Sequence, residues 1–110
     1  MSEYISYDDF SKLDIRIGEV KAVEAVPDTD KLLKCTVDFG DLGVRTIVSG
    51  IAQFRSPGSL IGKKMPYIVN LEPRMLRGVE SQGMLVAAST EDGIALLMPD
   101  AEVLPGTKLK

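Results

Sequence analysis

The feature that most constrains the fold is a strict alternation in the first half of the chain. Leu33, Cys35, Val37 and Phe39 are apolar, and Lys34, Thr36 and Asp38 stand between them. A side-chain period of two puts all four apolar residues on one face, which describes a half-buried strand and not a helix. Gly40-Asp41-Leu42-Gly43 then reads as a hairpin connection, and Val44 to Ser49 as the returning partner. Upstream, Ile15, Ile17 and Val20 suggest another strand, interrupted at Gly18, where a glycine signals a bulge or tight bend. Val26-Pro27-Asp28-Thr29-Asp30 is turn chemistry.

Around these strands little helix is expected. Ser6 with Asp9 forms a weak capping box, and Phe10 with Leu13 an apolar i,i+3 pair, so Ser6 to Leu13 reads as a short helical turn that must dock on something. Ile51 to Gly62 is irregular, with room for one turn near Gln53 or Leu60. Lys64 to Asn70 reads as a strand with Pro66 confined to an edge or a strand start. Leu71 to Glu80 reads as a loop. Gly83 to Ala88 and Ile94 to Met98 read as buried strands joined by a turn at Thr90-Glu91-Asp92-Gly93, and Ala101 to Lys110 as a loop-like tail. Three strands, an irregular connection and further strands describe an all-β chain. A five-stranded Greek-key barrel of the oligonucleotide/oligosaccharide-binding type has this order, with a β-sandwich as its competitor. At 110 residues, one domain is expected.

Two absences limit the chemistry. The sequence has no histidine, which excludes imidazole bases, Ser-His-Asp triads and His-ligated metals. It has one cysteine, Cys35, so no intrachain disulfide or CxxC pair can form. Cys35 sits in the alternating apolar set and reads as a small core residue. No nucleophile–base pair, glycine-rich phosphate loop or metal cluster stands out, so neither catalysis nor a cofactor is expected. No apolar run is long enough to span a bilayer and the N-terminus lacks a basic, apolar leader, so the expected compartment is the cytoplasm.

The formal net charge of −3 is a poor guide to partners. Residues 1–41 hold ten acids and five bases; residues 80–110 hold five acids and two bases. Between them, residues 42–79 carry one acid, Glu72, against six bases: Arg45, Arg55, Lys63, Lys64, Arg74 and Arg77. A basic middle third between acidic ends hints at a polyanion partner. The loop Asn70-Leu-Glu-Pro-Arg-Met-Leu-Arg-Gly strengthens the hint. Arginine offers phosphate a two-pronged donor and offers bases a flat stacking surface, and methionine and asparagine beside it can pack on and bond to an unstacked base.

That loop, continued through Val79-Glu-Ser-Gln-Gly-Met84-Leu85-Val86, resembles the signature of the tRNA-binding domain family. Phe10-Ser-Lys-Leu-Asp-Ile-Arg-Ile-Gly resembles the family's first strand, Asp28-Thr-Asp-Lys-Leu its Ala-Asp-Lys-Leu turn, and Val48-Ser-Gly-Ile-Ala its third strand and following turn. The resemblance runs from about Tyr7 to Lys108. The family includes C-terminal domains of methionyl-tRNA synthetases, stand-alone tRNA-binding proteins and a secretion-chaperone-like branch. Membership implies the oligonucleotide-binding barrel, no catalysis, and tRNA as partner. It also implies a homodimer built from an N-terminal extension (residues 1–13) and a C-terminal one (residues 99–110), with a methionyl-tRNA synthetase as a further possible partner. A chain with its own Met1 fits a separate subunit or stand-alone protein.

The family's tRNA contacts carry over to Lys31, Asn70, Arg74, Arg77, Ser81 and Met84, and each has another reading. Arg74 and Arg77 are phosphate clamps or stacking platforms, or else partners of Glu72 or Glu80. Lys31 contacts phosphate or is a solvated turn lysine; Lys64 is a fourth phosphate candidate. Asn70 reads a base edge or caps the loop backbone. Ser81 donates to phosphate or serves the backbone. Met84 is ligand or core. Glu72 departs from the family, where lysine is frequent, and lowers the local positive charge.

Overall fold

The computed structural model describes residues 3–110. The alternating segment forms β2 (Leu33–Asp38), paired in antiparallel register with β3 (Val44–Ser49) on one side and the long β1 (Ile15–Ala25) on the other. β4 (Lys64–Ile68) joins the far half of β1 and extends the sheet. Four further strands follow: β5 (Arg74–Leu76), β6 (Val79–Ser81), β7 (Met84–Leu85) and β8 (Ala87–Thr90), before β9 (Gly93–Leu96). β7 pairs with β4, which gives the sheet order β3-β2-β1-β4-β7, and β5–β6 and β8–β9 form separate hairpins. The architecture is the expected all-β, five-stranded barrel.

Why one strand serves both halves of the barrel is visible in β1. Its C-terminal part pairs with β2 and its N-terminal part with β4, with a register shift between Val20 and Ala22. The irregularity expected at Gly18 falls two to three residues further on, and Gly18 itself pairs in regular register with Met65. A side chain at Gly18 would meet Val37 and Phe39 at 2.5–2.6 Å, so only glycine lets β1 lie this close to β2. Inside, Val20, Leu33, Cys35, Val37, Phe39, Ile47, Leu60, Met65 and Tyr67 form a closed apolar cluster, with Phe39 and Tyr67 edge to face at 5.3 Å. Burial pushes the Cys35 thiol up to about 11, which keeps it protonated and unreactive.

Three expectations are modified. β4 is an inner strand, yet Pro66 sits mid-strand, opposite Ile17. Pro66 accepts a bond from Val86 N–H at 3.0 Å, and its missing donor faces the break between β7 and β8, where no ladder bond is required. The tail is also ordered: Ile17 N–H donates to Thr107 O, Gly106 N–H to Ile17 O and Leu109 N–H to Ile15 O, so residues 106–109 lie along the stretch of β1 that β2 leaves unpaired. Finally, the N-terminal helix, α1, is shorter than expected. It spans Tyr7–Ser11, its N-cap Ser6 accepts from Asp9 N–H at 3.1 Å, and it buries none of its residues. Residues 1 and 2 of the expected N-terminal extension lie outside the described residues. A second short helix, α2 (Pro57–Leu60), supplies Leu60 to the core, in keeping with the turn expected there.

The barrel closes without a full ladder. β3 is an edge strand, and its outward amides are taken by the side chains of Ser81, the last residue of β6, and Gln82, the next one. Val48 N–H donates to the Ser81 hydroxyl at 2.9 Å, and Thr46 N–H to the Gln82 side-chain carbonyl at 2.9 Å. Gln82 N–H returns a bond to Thr46 O at 2.8 Å.

Candidate nucleic-acid interface

The segment expected to be a loop from Leu71 to Glu80 instead folds, from Arg74 to Ser81, as the hairpin β5–β6. Leu76 faces Val79 across a two-residue turn, Arg77-Gly78, in which both residues have positive φ, at 51° and 82°. A tight turn of this mirror type matches the right-handed twist of its strands and favours Asn-Gly over Arg-Gly. Arginine therefore occupies the tip at a conformational cost, with its side chain exposed. The pair Arg-Gly between two apolar residues was the available sequence signal for this hairpin.

The hairpin lies against the outer side of β3. Ile47 points into the core, so Val48 points outward, and yet Val48 is buried because the hairpin segment covers it. Leu71, Leu76, Met84, Arg74 and Glu72 surround Val48 and leave a small recess of about 70 Å³. On the other side of the hairpin, Lys34, Thr46, Glu80 and Gln82 line a larger, open cleft. In barrels of this type the face of the second and third strands, with its flanking loops, is the usual surface for oligonucleotides. The turn bearing Lys31 flanks the end of the same strand: Ala52 N–H, just beyond β3, donates to Lys31 O at 3.1 Å.

The six residues named from the sequence separate into two kinds. Lys31, Arg74 and Arg77 are exposed, and among the described residues none has an acidic partner within 4.0 Å. Neither arginine is paired with Glu72 or Glu80. Met84 is half exposed at the rim of the recess. Asn70 and Ser81 are engaged within the fold. The Asn70 carbonyl accepts from Asp14 N–H at 2.8 Å, and its amide donates to Lys12 O at 2.6 Å, which fixes the entry of the loop to the start of β1. Ser81 is 5% exposed and its hydroxyl lies between Val48 N–H and Gly83 O.

Half of the basic third is likewise occupied. Arg45 donates to Val69 O at 2.6 Å, Arg55 to Phe54 O and Ile94 O, and Lys64 to Val103 O at 2.6 Å with Glu102 3.5 Å away. Lys64, a phosphate candidate from sequence, ties β4 to the tail instead. Elsewhere Arg16 grips Asp14 through Nε at 2.7 Å and Nη2 at 3.2 Å, and this bond holds the Asp14 carboxyl below its ordinary value. Among the described residues no cluster of three or more potential metal ligands occurs, and no helix is long and apolar enough to cross a membrane. Sequence reasoning missed Val48, Leu71 and Leu76 as walls of the recess, because their grouping depends on the hairpin folding back.

Residues 15–108 match the family described as "Putative tRNA binding domain". The chain belongs to the tRNA-binding domain family. This tRNA-binding domain is 50% identical over 111 residues to the methionine–tRNA ligase of Porphyromonas gingivalis, an alignment covering 100% of the chain and 16% of that protein. It thus spans about one-sixth of the length of the curated relatives it matches. Among solved structures, the MetRS-related protein from Pyrococcus horikoshii superposes with a TM-score of 0.92 at 44% identity, covering 99% of this chain and 100% of that one. The CsaA chaperone protein from Picrophilus torridus superposes with a TM-score of 0.89 at 35% identity, covering 97% and 100%.

Proposed function

We propose that the chain is a non-catalytic tRNA-binding module that holds tRNA through its phosphates and overall shape, with Lys31, Arg74 and Arg77 as the principal cations and Met84 beside them. It would raise tRNA affinity for a methionyl-tRNA synthetase, either as a separate subunit or as part of a longer chain, and act in the cytoplasm. The observation that carries this reading is the contrast in the basic third: Arg45, Arg55 and Lys64 are tied to backbone, while Arg74 and Arg77 stand exposed and unpaired on a hairpin laid over the outer side of β3. Asn70 and Ser81 contribute by holding that hairpin in place.

A homodimer accompanies this reading. Residues 3–13 and 99–110 would build its interface, because Tyr4, Ile5, Tyr7 and Leu104 are exposed, and because Leu97, Met98, Val103 and Leu109 line an apolar groove of about 360 Å³ with Ile17 and Pro66. Two copies would double the cations presented to one tRNA.

Titration of bulk tRNA at increasing salt tests the proposal. Three phosphate contacts per protomer predict that log affinity falls with log salt at a slope of about −3 when one protomer engages the tRNA and about −5 when both protomers of the dimer do. A flat response, or undiminished affinity in Arg74→Ala/Arg77→Ala protein of unchanged melting temperature, would count against it. The likeness to the CsaA chaperone, together with Met75 exposed on the hairpin, favours a second reading as a peptide-binding module. Preference for an unfolded polypeptide over tRNA at physiological salt would select that reading.

A further inference from the structure

The recess beneath the hairpin carries more than charge. Its walls are apolar at Val48, Leu71, Leu76 and Met84, and its two charged lining residues, Glu72 and Arg74, have no mutual ion pair within 4.0 Å. Neighbouring opposite charges that leave each other free form a donor–acceptor pair open to a third party. At about 70 Å³ the recess is roughly half the size of a cavity known to enclose a benzene ring. It can therefore take the edge of a planar ring but not the whole ring. The face of that ring would lie on the exposed rim, where Leu71 and Met84 are 42% and 47% accessible. A ligand flat and apolar on its faces, polar on one edge, and attached to a phosphate chain is an unpaired nucleobase. A base inside a double helix cannot enter, because its edge is turned to its partner.

We propose that this recess binds the edge of one unpaired base of the RNA, with Glu72 as hydrogen-bond acceptor and Arg74 as donor, and that Glu72 selects bases bearing an exocyclic amino group over uracil. The inference rests on the tRNA-binding reading above. Cytosine and adenine each present an amino donor beside a ring acceptor, which complements a carboxylate beside a guanidinium. Guanine presents two adjacent donors to the carboxylate. Uracil also offers a donor beside an acceptor, its ring N–H and one carbonyl, but that N–H is flanked by a second carbonyl, which a carboxylate accepting from it meets as a like dipole. The same reasoning gives Glu72 a purpose at a position where it lowers the local positive charge: some attraction for phosphate is exchanged for discrimination among bases.

Binding of single-stranded oligocytidylate and oligouridylate of about a dozen nucleotides, compared at one low salt concentration, tests the proposal. The two ligands match in length, charge and ring size. Wild-type protein is expected to prefer oligocytidylate by about fivefold or more, the lower end of what one good base-edge pair discriminates. Glu72→Gln, which can both donate and accept, should reduce the preference to less than about twofold, and Glu72→Lys should bind both oligomers more tightly while losing it. Residue 72 is exposed, and unchanged melting temperatures would show that the variants are folded. Equal affinity of the wild type for the two oligomers, failure to bind either while tRNA binds, or a preference that survives Glu72→Gln would overturn the inference. Loss of tRNA binding itself, in the same titration series, would instead sink the reading on which it rests.

Discussion

Arg77→Asn should make the protein more stable and a poorer tRNA binder, two effects of opposite sign from one side chain. Arg77 holds a left-handed backbone, φ 51°, at the first position of a two-residue turn followed by Gly78 at φ 82°. For an ordinary L-residue that conformation costs roughly 1–2 kcal/mol, and asparagine, whose short polar side chain bonds locally, recovers part of it. A gain of about 0.5–1 kcal/mol is expected, because Arg77 is exposed, has no ion pair among the described residues and takes no packing with it when removed. For a chain of this size that corresponds to a rise of about 2–6 °C in melting temperature. Removal of one phosphate contact should make the salt slope shallower by about 0.9 and weaken binding about five- to tenfold at 0.1 M salt. Thermal denaturation and a tRNA titration at three salt concentrations read both quantities. A lower melting temperature would refute the strain argument; unchanged affinity would refute the placement of Arg77 at the interface.

Ser81→Ala removes the acceptor for Val48 N–H in a buried site and should cost about 1–3 kcal/mol, measured by urea denaturation, while Ser81→Thr should recover part of it. Gly106→Ala should detach the tail, because a side chain there runs into Phe39 O and φ is 90°; the expected result is a lower melting temperature and, for the dimer proposed above, a shift toward monomer in size-exclusion chromatography with light scattering. The hydrogen bond from Arg16 holds the folded-state pKa of Asp14 below the ordinary carboxylate value of 3.8, so its contribution is present above that value and lost as pH falls through the lowered one. Asp14→Asn should therefore be less stable than wild type near neutrality, and the difference should shrink in acid denaturation curves below pH 3.8.

How much of this was legible in the sequence follows from the range of the interactions involved. Leu33 to Phe39 could be placed because a strand with one buried face writes its period into the chain, and the capping of α1 could be placed because Ser6 and Asp9 are three residues apart. The hairpin β5–β6 left only the Arg77-Gly78 pair as a signal, since its three-residue strands are too short to show a period and Val48, which they cover, lies 31 residues before Val79. Pro66 reads as an edge residue until the chain's later course leaves a ladder gap beside it. The candidate cations were legible as a basic third, but the division of that third was not. Whether an arginine reaches Val69 O or solvent is decided by which backbone carbonyls the fold happens to bring near it.

The side-chain closure of the barrel has a consequence for its motions. Along β3, alternate amides face opposite ways: Thr46 and Val48 point to Gln82 and Ser81, and the residues between them point to the ladder with β2. Release of the Gln82 and Ser81 side chains would expose the first set to deuterium without disturbing the second. Native-state exchange should then show two rates interleaved along a single strand, fast at 46 and 48 and slow at 45 and 47. The faster rate would report how often the hairpin β5–β6 lifts from an intact barrel.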